Sequence, residues 1–291
     1  MQENGLVAIV KRDCPTCVMV APVLQQLEAK GALTVYSQDD PGFPEGMNVA
    51  DDTALDTSYR LDVEIVPTLV RFQDGTEVER TYGWDRAAWE GLTGRDDLGV
   101  DLPAFKPGCG ALNQEQDRLA ELRIRHGDTP MVSRLVPLGA KEDAIEACFE
   151  RGWSDGLPVV PPTQERVLAM LEGTGRAADE VMGLMPSNLD TCTVEKVAIN
   201  AVMAGCRPEY MPVVLAAIEA VLDEDYCLHG TLATTRFVGP VVIVNGPIAK
   251  QIDMNGKGNA LGQGNRANAT IGRAVQLAVR NIGGGKPRGV D

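Results

Sequence analysis

No apolar run in this chain approaches the ~18–20 residues that a bilayer-spanning helix needs, which excludes such a span and argues against a membrane partner. Met1-Gln2-Glu3-Asn4-Gly5 leads straight into an apolar segment, so no secretory leader is visible. There is no internal repeat and no low-complexity tract. Basic side chains are scarce in the front part. Residues 1–105 hold 19 acidic and 8 basic groups, a balance that repels nucleic acid and sets it aside as a partner. A disulfide framework is missing too: seven cysteines, an odd number at no framework spacing, fit functional or buried thiols in a reducing, cytoplasmic setting.

What is present describes an ordinary globular protein. At 291 residues the chain is long enough for two domains, each with its own core. The charge is uneven, because residues 236–291 carry 8 basic and only 2 acidic groups. That end reads as an anion site, as a docking face for the acidic front, or as a plain solvated surface.

The front is organised around Cys14-Pro15-Thr16-Cys17. The apolar run Leu6–Val10 precedes it and an amphipathic run from Val18 to Lys30 follows, giving strand, turn and helix. A cysteine at a helix N-terminus meets unpaired N–H groups that favour its thiolate. Two intervening residues bring the second sulfur close enough to close a reducible disulfide. The same spacing also serves as half of a zinc knuckle, but the remaining cysteines, at 109, 148, 192, 206 and 227, are single. Leu33–Ser37 reads as a second strand. Val66-Pro67-Thr68 opens an alternating run to Phe72, Asp74-Gly75 is a hairpin turn, and Thr76–Thr81 pairs back. Asp85 is placed to cap a helix through Leu92.

Cys14, Cys17 and Pro67 in this arrangement resemble the thioredoxin/glutaredoxin superfamily over about residues 1–95, at a minimal, glutaredoxin-like size. The resemblance implies a cis Pro67 packed against the sulfurs and a partner reductant, such as a thioredoxin reductase or a low-molecular-weight thiol. Two departures stand out. Arg12-Asp13 precede Cys14 where the family usually has a Trp, and Lys11 stands in place of a buried carboxylate.

Gly94–Pro107, rich in Gly, Pro and Asp, reads as a connector. The expected organisation is α/β: a thioredoxin-like domain at 1–95, a linker at 96–111 and a second α/β domain at 112–291. In the latter, helices are expected over Leu112–Arg125 and Ala140–Arg151, the second with an apolar stripe of Ala144, Ile145, Cys148 and Phe149. Cys148 reads as a core thiol. The block from Arg151 to Thr163, with Trp153, Asp155 and three prolines, is expected to be a rigid loop, and Thr163 to cap a helix to Leu171. Thr193 caps a helix through Ala204 with Gly205 at its C-terminal end, and Pro208 opens the next. Phe237–Val244 reads as a buried strand. A Gly/Asn loop over 255–265 then leads to a helix from Ala267 to Asn281, and the chain ends in a Gly-rich tail from Gly283 to Asp291.

Chemistry in this second region centres on thiols. Cys206, beside Arg207 and ahead of a helix start, is expected to have a lowered pKa, and Cys192 stands similarly before Thr193. Either also reads as a small buried residue. No cofactor is required by these motifs; the alternative is zinc or a soft metal at Cys192, Cys206, Cys227 and His229. The loop from Gly256 to Arg266 lacks the Walker A pattern and the dinucleotide fingerprint. With Arg207, Asn245, Lys257, Arg266 and Asn268 it reads as a site for a small anionic substrate, or as a plain turn-rich loop. The blocks RGWSDGLPVVPPT, AGCRPEYMP and GNRANATIGRA resemble regions of uncharacterised bacterial proteins, found alone or behind a thioredoxin-like module. That likeness covers roughly 140–291 and carries no activity. Those relatives run past this chain's end, which implies one subunit of a split or cleaved enzyme, with an additional subunit or a homo-oligomer as its assembly.

The functional expectation is a thiol–disulfide oxidoreductase. Cys14 attacks, Cys17 resolves, Pro67 shapes the groove, and the module resets a thiol-dependent second domain through Cys206. The rival is a metal–thiolate, hydrolytic or lyase subunit whose front module only docks. A redox-regulated scaffold is the third reading.

Overall fold

The computed structural model describes residues 4–29, 31, 33–236 and 238–286. Two compact units divide the chain, residues 1–127 and 128–291.

The first unit is built on a mixed five-stranded sheet. Strand β1 (Gly5–Val10) leads to helix α1 (Pro15–Glu28), then β2 (Leu33–Ser37), β3 (Val49–Asp51) and the short helix α2 (Asp56–Arg60). Two-residue β4 (Ile65–Val66) precedes β5 (Thr68–Gln73) and β6 (Thr76–Tyr82). The sheet order is β3-β2-β1-β5-β6, with β1, β2 and β3 parallel and β5 and β6 antiparallel additions. Asp74 and Gly75, both at positive φ, make the tight β5–β6 turn. After β7 (Trp84–Asp85), helix α3 (Arg86–Thr93) starts on Asp85, whose carboxylate accepts the Ala88 N–H. The core lies between β1, α1 and β5, closed at one end by Trp84, Trp89, Leu92 and Leu98.

The expected connector is part of this unit rather than a linker. Leu98 is fully buried, the Trp84 indole donates to Pro103 O at 2.6 Å, and Arg86 donates to Gly99 O at 2.8 Å. Strand β8 (Phe105–Lys106) pairs with β7, and β9 (Cys109–Gly110) pairs with β4. Helix α4 (Gln116–His126), assigned by sequence to the second domain, also belongs here, and His126 stacks on Tyr59 and bonds Asp56. The boundary therefore falls after Gly127, not at residue 95. A Gly/Pro-rich composition reports turns, and turns also occur in chain that folds back onto a sheet.

The second unit is mainly helical: α5 (Ala144–Glu150), α6 (Gln164–Glu172), α7 (Val194–Ala204), α8 (Met211–Leu222), α9 (Leu228–Leu232), α10 (Pro247–Gln251) and α11 (Arg266–Gly283). Among the described residues its strands are one hairpin, β10 (Val181–Met185) with β11 (Asp190–Thr193). Helix α7 is the centre, buried along almost its whole length and packed on α6, α8 and α11. The caps follow the sequence: Thr193 accepts the Lys196 N–H and Gly205 takes φ 91°. The 151–163 block is irregular, pinned by the bidentate Asp155–Arg273 pair at 2.8 Å. On α5, Cys148 is buried as expected of a core thiol, whereas Ile145 and Phe149 are exposed. The buried strand expected over Phe237–Val244 is not found in its described part: 238–244 has no ladder, and Val241 and Ile243 are exposed. A β-branched run supplies strand preference, but a strand needs a neighbour to pair with. Phe237, Lys30 at the end of the expected amphipathic run and the tail from 287 lie outside the described residues. No described helix is long and apolar enough to cross a membrane.

Candidate active site

Cys14 is the N-cap residue of α1. Its extended backbone (φ −144°, ψ 110°) leaves Sγ facing the first turn, where it accepts the Cys17 N–H at 3.3 Å. Pro15 at the first helical position removes a donor that has no partner there in any case. The Cys17 thiol, donating to Cys14 Sγ, is the main influence holding Cys14 down at about 5. Burial opposes it, while the Cys109 thiol and the N–H groups of Cys17 and Thr16 add donors. Protonated, the same sulfur has a long alternative contact, donating to Val66 O at 3.6 Å. Cys17 is fully buried, and that burial drives its thiol far up. The two thiols are thus split into a stabilised thiolate and a held proton. Pro67 is buried after a cis Val66–Pro67 peptide, next to the carbonyl that Cys14 faces.

Cys109 is the residue that sequence reasoning missed. In β9 it pairs across from Val66, on the strand that also presents a carbonyl to Cys14, and its thiol is one of the influences that lower the Cys14 pKa. Burial and the proton it shares with Cys14 raise its own pKa, and the charge of Lys11 pulls it back. The segment carrying it is strapped to the motif. Thr16 Oγ1 donates to Pro107 O at 2.6 Å, Lys106 Nζ to Pro15 O at 3.3 Å and Lys11 Nζ to Gly110 O at 2.9 Å. The approach is so close that a Cβ on Gly108 would sit 2.3 Å from Ile65 Cγ2 and 2.5 Å from Val66 O; only glycine fits. In this closed arrangement Cys14 is 1% exposed and Cys109 half-buried.

The thiols of the second unit differ from expectation. Cys206 is buried and its Sγ donates to Thr270 O at 3.4 Å. Burial pushes it up to about 11, with the Thr270 side chain and the Arg266 charge opposing only in part. Cys192, inside the hairpin opposite Gly183, is likewise pushed up to about 11 by burial. Both corrections have one cause: loss of water outweighs whatever a nearby helix start contributes. Cys227 is exposed, and among the described residues no group of three or more His, Cys, Asp or Glu side chains is arranged to hold a metal.

The Gly/Asn loop is braced from within. Asn268 accepts the Asn255 N–H and donates to Asn255 O and Ala260 O, all at 2.9 Å, so its amide is committed to the loop rather than to a ligand. Arg266 Nε donates to Gly205 O at 2.9 Å. Arg207, Asn245 and Lys257 are exposed. Comparison with protein-family models, with curated proteins and with solved structures finds no match to this chain.

Proposed function

We propose that residues 1–127 form a thioredoxin-like module that carries out thiol–disulfide exchange through Cys14 and Cys17. The observation that supports this most is Cys14 Sγ at the start of α1, accepting the Cys17 N–H at 3.3 Å and held at about 5. A sulfur ionised at neutral pH is both the attacking and the good leaving group that exchange requires. The Cys14 thiolate attacks one sulfur of a disulfide and expels the other as a thiolate. Cys17 then gives up its proton, attacks Cys14 Sγ and expels the second thiolate, leaving a Cys14–Cys17 disulfide. A low-molecular-weight thiol or a reductase supplies the two electrons that reopen it. Pro67 borders the groove in which the substrate sulfur lies. Because the thiolate stabilises the reduced pair, the oxidised pair favours acting as an oxidant.

Exchange requires the 105–111 segment to part from the motif, since Cys14 is closed to water in the resting state. Cys206 is not the natural acceptor, because a thiol at about 11 is almost wholly protonated at neutral pH. Bis(2-hydroxyethyl) disulfide tests the reading. The full chain should take up the reagent at Cys14 and pass to a cysteine–cysteine bond, mapped on peptides after acid quench. A Cys14→Ser variant that consumes the disulfide as fast as the parent chain would refute the proposal.

A further inference from the structure

We infer that Cys109 is a third redox thiol of this site, one that attacks Cys14 Sγ in a mixed disulfide and closes a transient Cys14–Cys109 bond. This rests on the exchange reading above. Three observations on separate elements carry it. The ladder between β4 and β9 sets Cys109 opposite Val66, whose carbonyl lies 3.6 Å from Cys14 Sγ. The Cys109 thiol lowers the pKa of Cys14 while Cys14 raises that of Cys109, so each sulfur acts electrostatically on the other. Three hydrogen bonds, from Thr16, Lys106 and Lys11, hold the Cys109 segment against the motif. Of the three sulfur-bearing residues, Cys17 is wholly buried in α1 and Cys109 alone is half-buried, the better placed to meet an incoming adduct.

The step balances. Cys109 gives its proton to water or to the departing thiolate, and its sulfur bonds to Cys14 Sγ as the bond to the substrate sulfur breaks. The electron pair leaves with the substrate thiolate. Cys17 then attacks Cys14 Sγ, forms the Cys14–Cys17 disulfide and returns Cys109 as a thiol. One disulfide substrate gains two electrons, the module loses two, and two equivalents of a low-molecular-weight thiol restore it. Lys11 is a positioning residue: its ammonium holds Gly110 O at 2.9 Å and favours the Cys109 thiolate through its charge.

The test uses the full chain with Cys17→Ala and Cys17→Ser, each treated with bis(2-hydroxyethyl) disulfide, quenched in acid and mapped by peptide mass spectrometry. The expected product is a Cys14–Cys109 linked peptide. In Cys17→Ala/Cys109→Ser the adduct should instead remain on Cys14. In Cys17→Ala, Lys11→Met should slow the linking step about tenfold, while the first adduct-forming step, freed of the Gly110 strap, should be as fast or faster. A stable Cys14 adduct beside a free Cys109 in the Cys17 variants overturns the inference and leaves exchange at Cys14 standing. Absence of any Cys14 adduct in the double variant overturns both. Should the Cys17 variants fail to fold, a rapid-quench time course on the parent chain decides: a transient Cys14–Cys109 peptide supports the third thiol, and its absence sinks it.

Discussion

Cys14 and Cys206 look alike in sequence, each at a helix start with a basic residue nearby, yet the fold treats them in opposite ways. Cys14 is the cap residue itself, so the N–H of the third helical residue, Cys17, points at its sulfur. Cys206 lies one residue outside the cap position, which Arg207 occupies ahead of the 3-10 turn Pro208–Tyr210, and Pro208 has no N–H to offer. Its sulfur turns instead to the Thr270 carbonyl, an acceptor that wants a proton. One sulfur receives donors and ionises; the other becomes a donor and keeps its hydrogen. A helix start activates a thiol only when its N–H groups reach the sulfur, and burial alone works against it.

The largest effect expected from this contrast is in alkylation at neutral pH. A thiol at about 5 is almost fully ionised there and one at about 11 is ionised in roughly one molecule in ten thousand, so the intrinsic rates should differ by about a thousandfold or more. Iodoacetamide labelling across pH, read on separate peptides, should give Cys14 a midpoint near 5 and Cys206 none below the limit of the native state. Equal midpoints would erase the distinction.

A smaller effect appears in stability. On folding, Cys14 falls from its ordinary 9.0 to about 5. Between those values the unfolded chain binds the extra proton, so the contribution is complete above about pH 9 and is lost as pH falls toward 5. The slope should be on the order of 1 kcal/mol per pH unit, read from denaturant midpoints of the reduced first unit, and Cys14→Ser should abolish it. Cys17 and Cys109 are shifted the other way, so their contributions disappear above the ordinary thiol range. The stability of the reduced unit should therefore pass through a maximum near pH 9. Cys206→Ser should leave the acid side of that curve unchanged.

Access should respond more modestly. Thr16→Val removes the hydroxyl that donates to Pro107 O, a bond of about 1 kcal/mol, so Cys14 should be labelled about fivefold faster without a change in its pH midpoint. An unchanged rate would mean that the 105–111 segment is not the barrier.

The features legible in sequence were those written in local chemistry. The strand before Cys14, the Asp74-Gly75 turn, the Asp85 and Thr193 caps and the αL Gly205 each follow from a few neighbouring residues, and each is found. The Cys14–Cys17 asymmetry follows from the same short spacing. What escaped depends on partners far along the chain. The ladders of β8 and β9 are two residues long and leave no periodicity, so their segment shows only its turn composition. In sequence Cys109 consequently reads as one of five single cysteines. Lys11 stands out in the sequence as a departure, but its partner, Gly110, lies 99 residues later. The valine-rich run before Asn245 erred in the other direction, its composition favouring a strand where no partner comes.

The smallest effect separates the two roles open to Cys206. If its work is packing and donation to Thr270 O, serine keeps the donor at a smaller, more polar atom, and the second unit should lose no more than about 1 kcal/mol. Alanine removes the donor and leaves a small void, so its loss should be larger by about 1 kcal/mol. In both variants the consumption of bis(2-hydroxyethyl) disulfide by Cys14 should stay within twofold of the parent chain. A thiol that received electrons from Cys14 would show the reverse pattern, with modest stability changes in both and turnover stalled in both, because neither hydroxyl nor methyl can carry a disulfide. The serine variant is the sharper of the two: it preserves most of the packing and removes all of the redox chemistry.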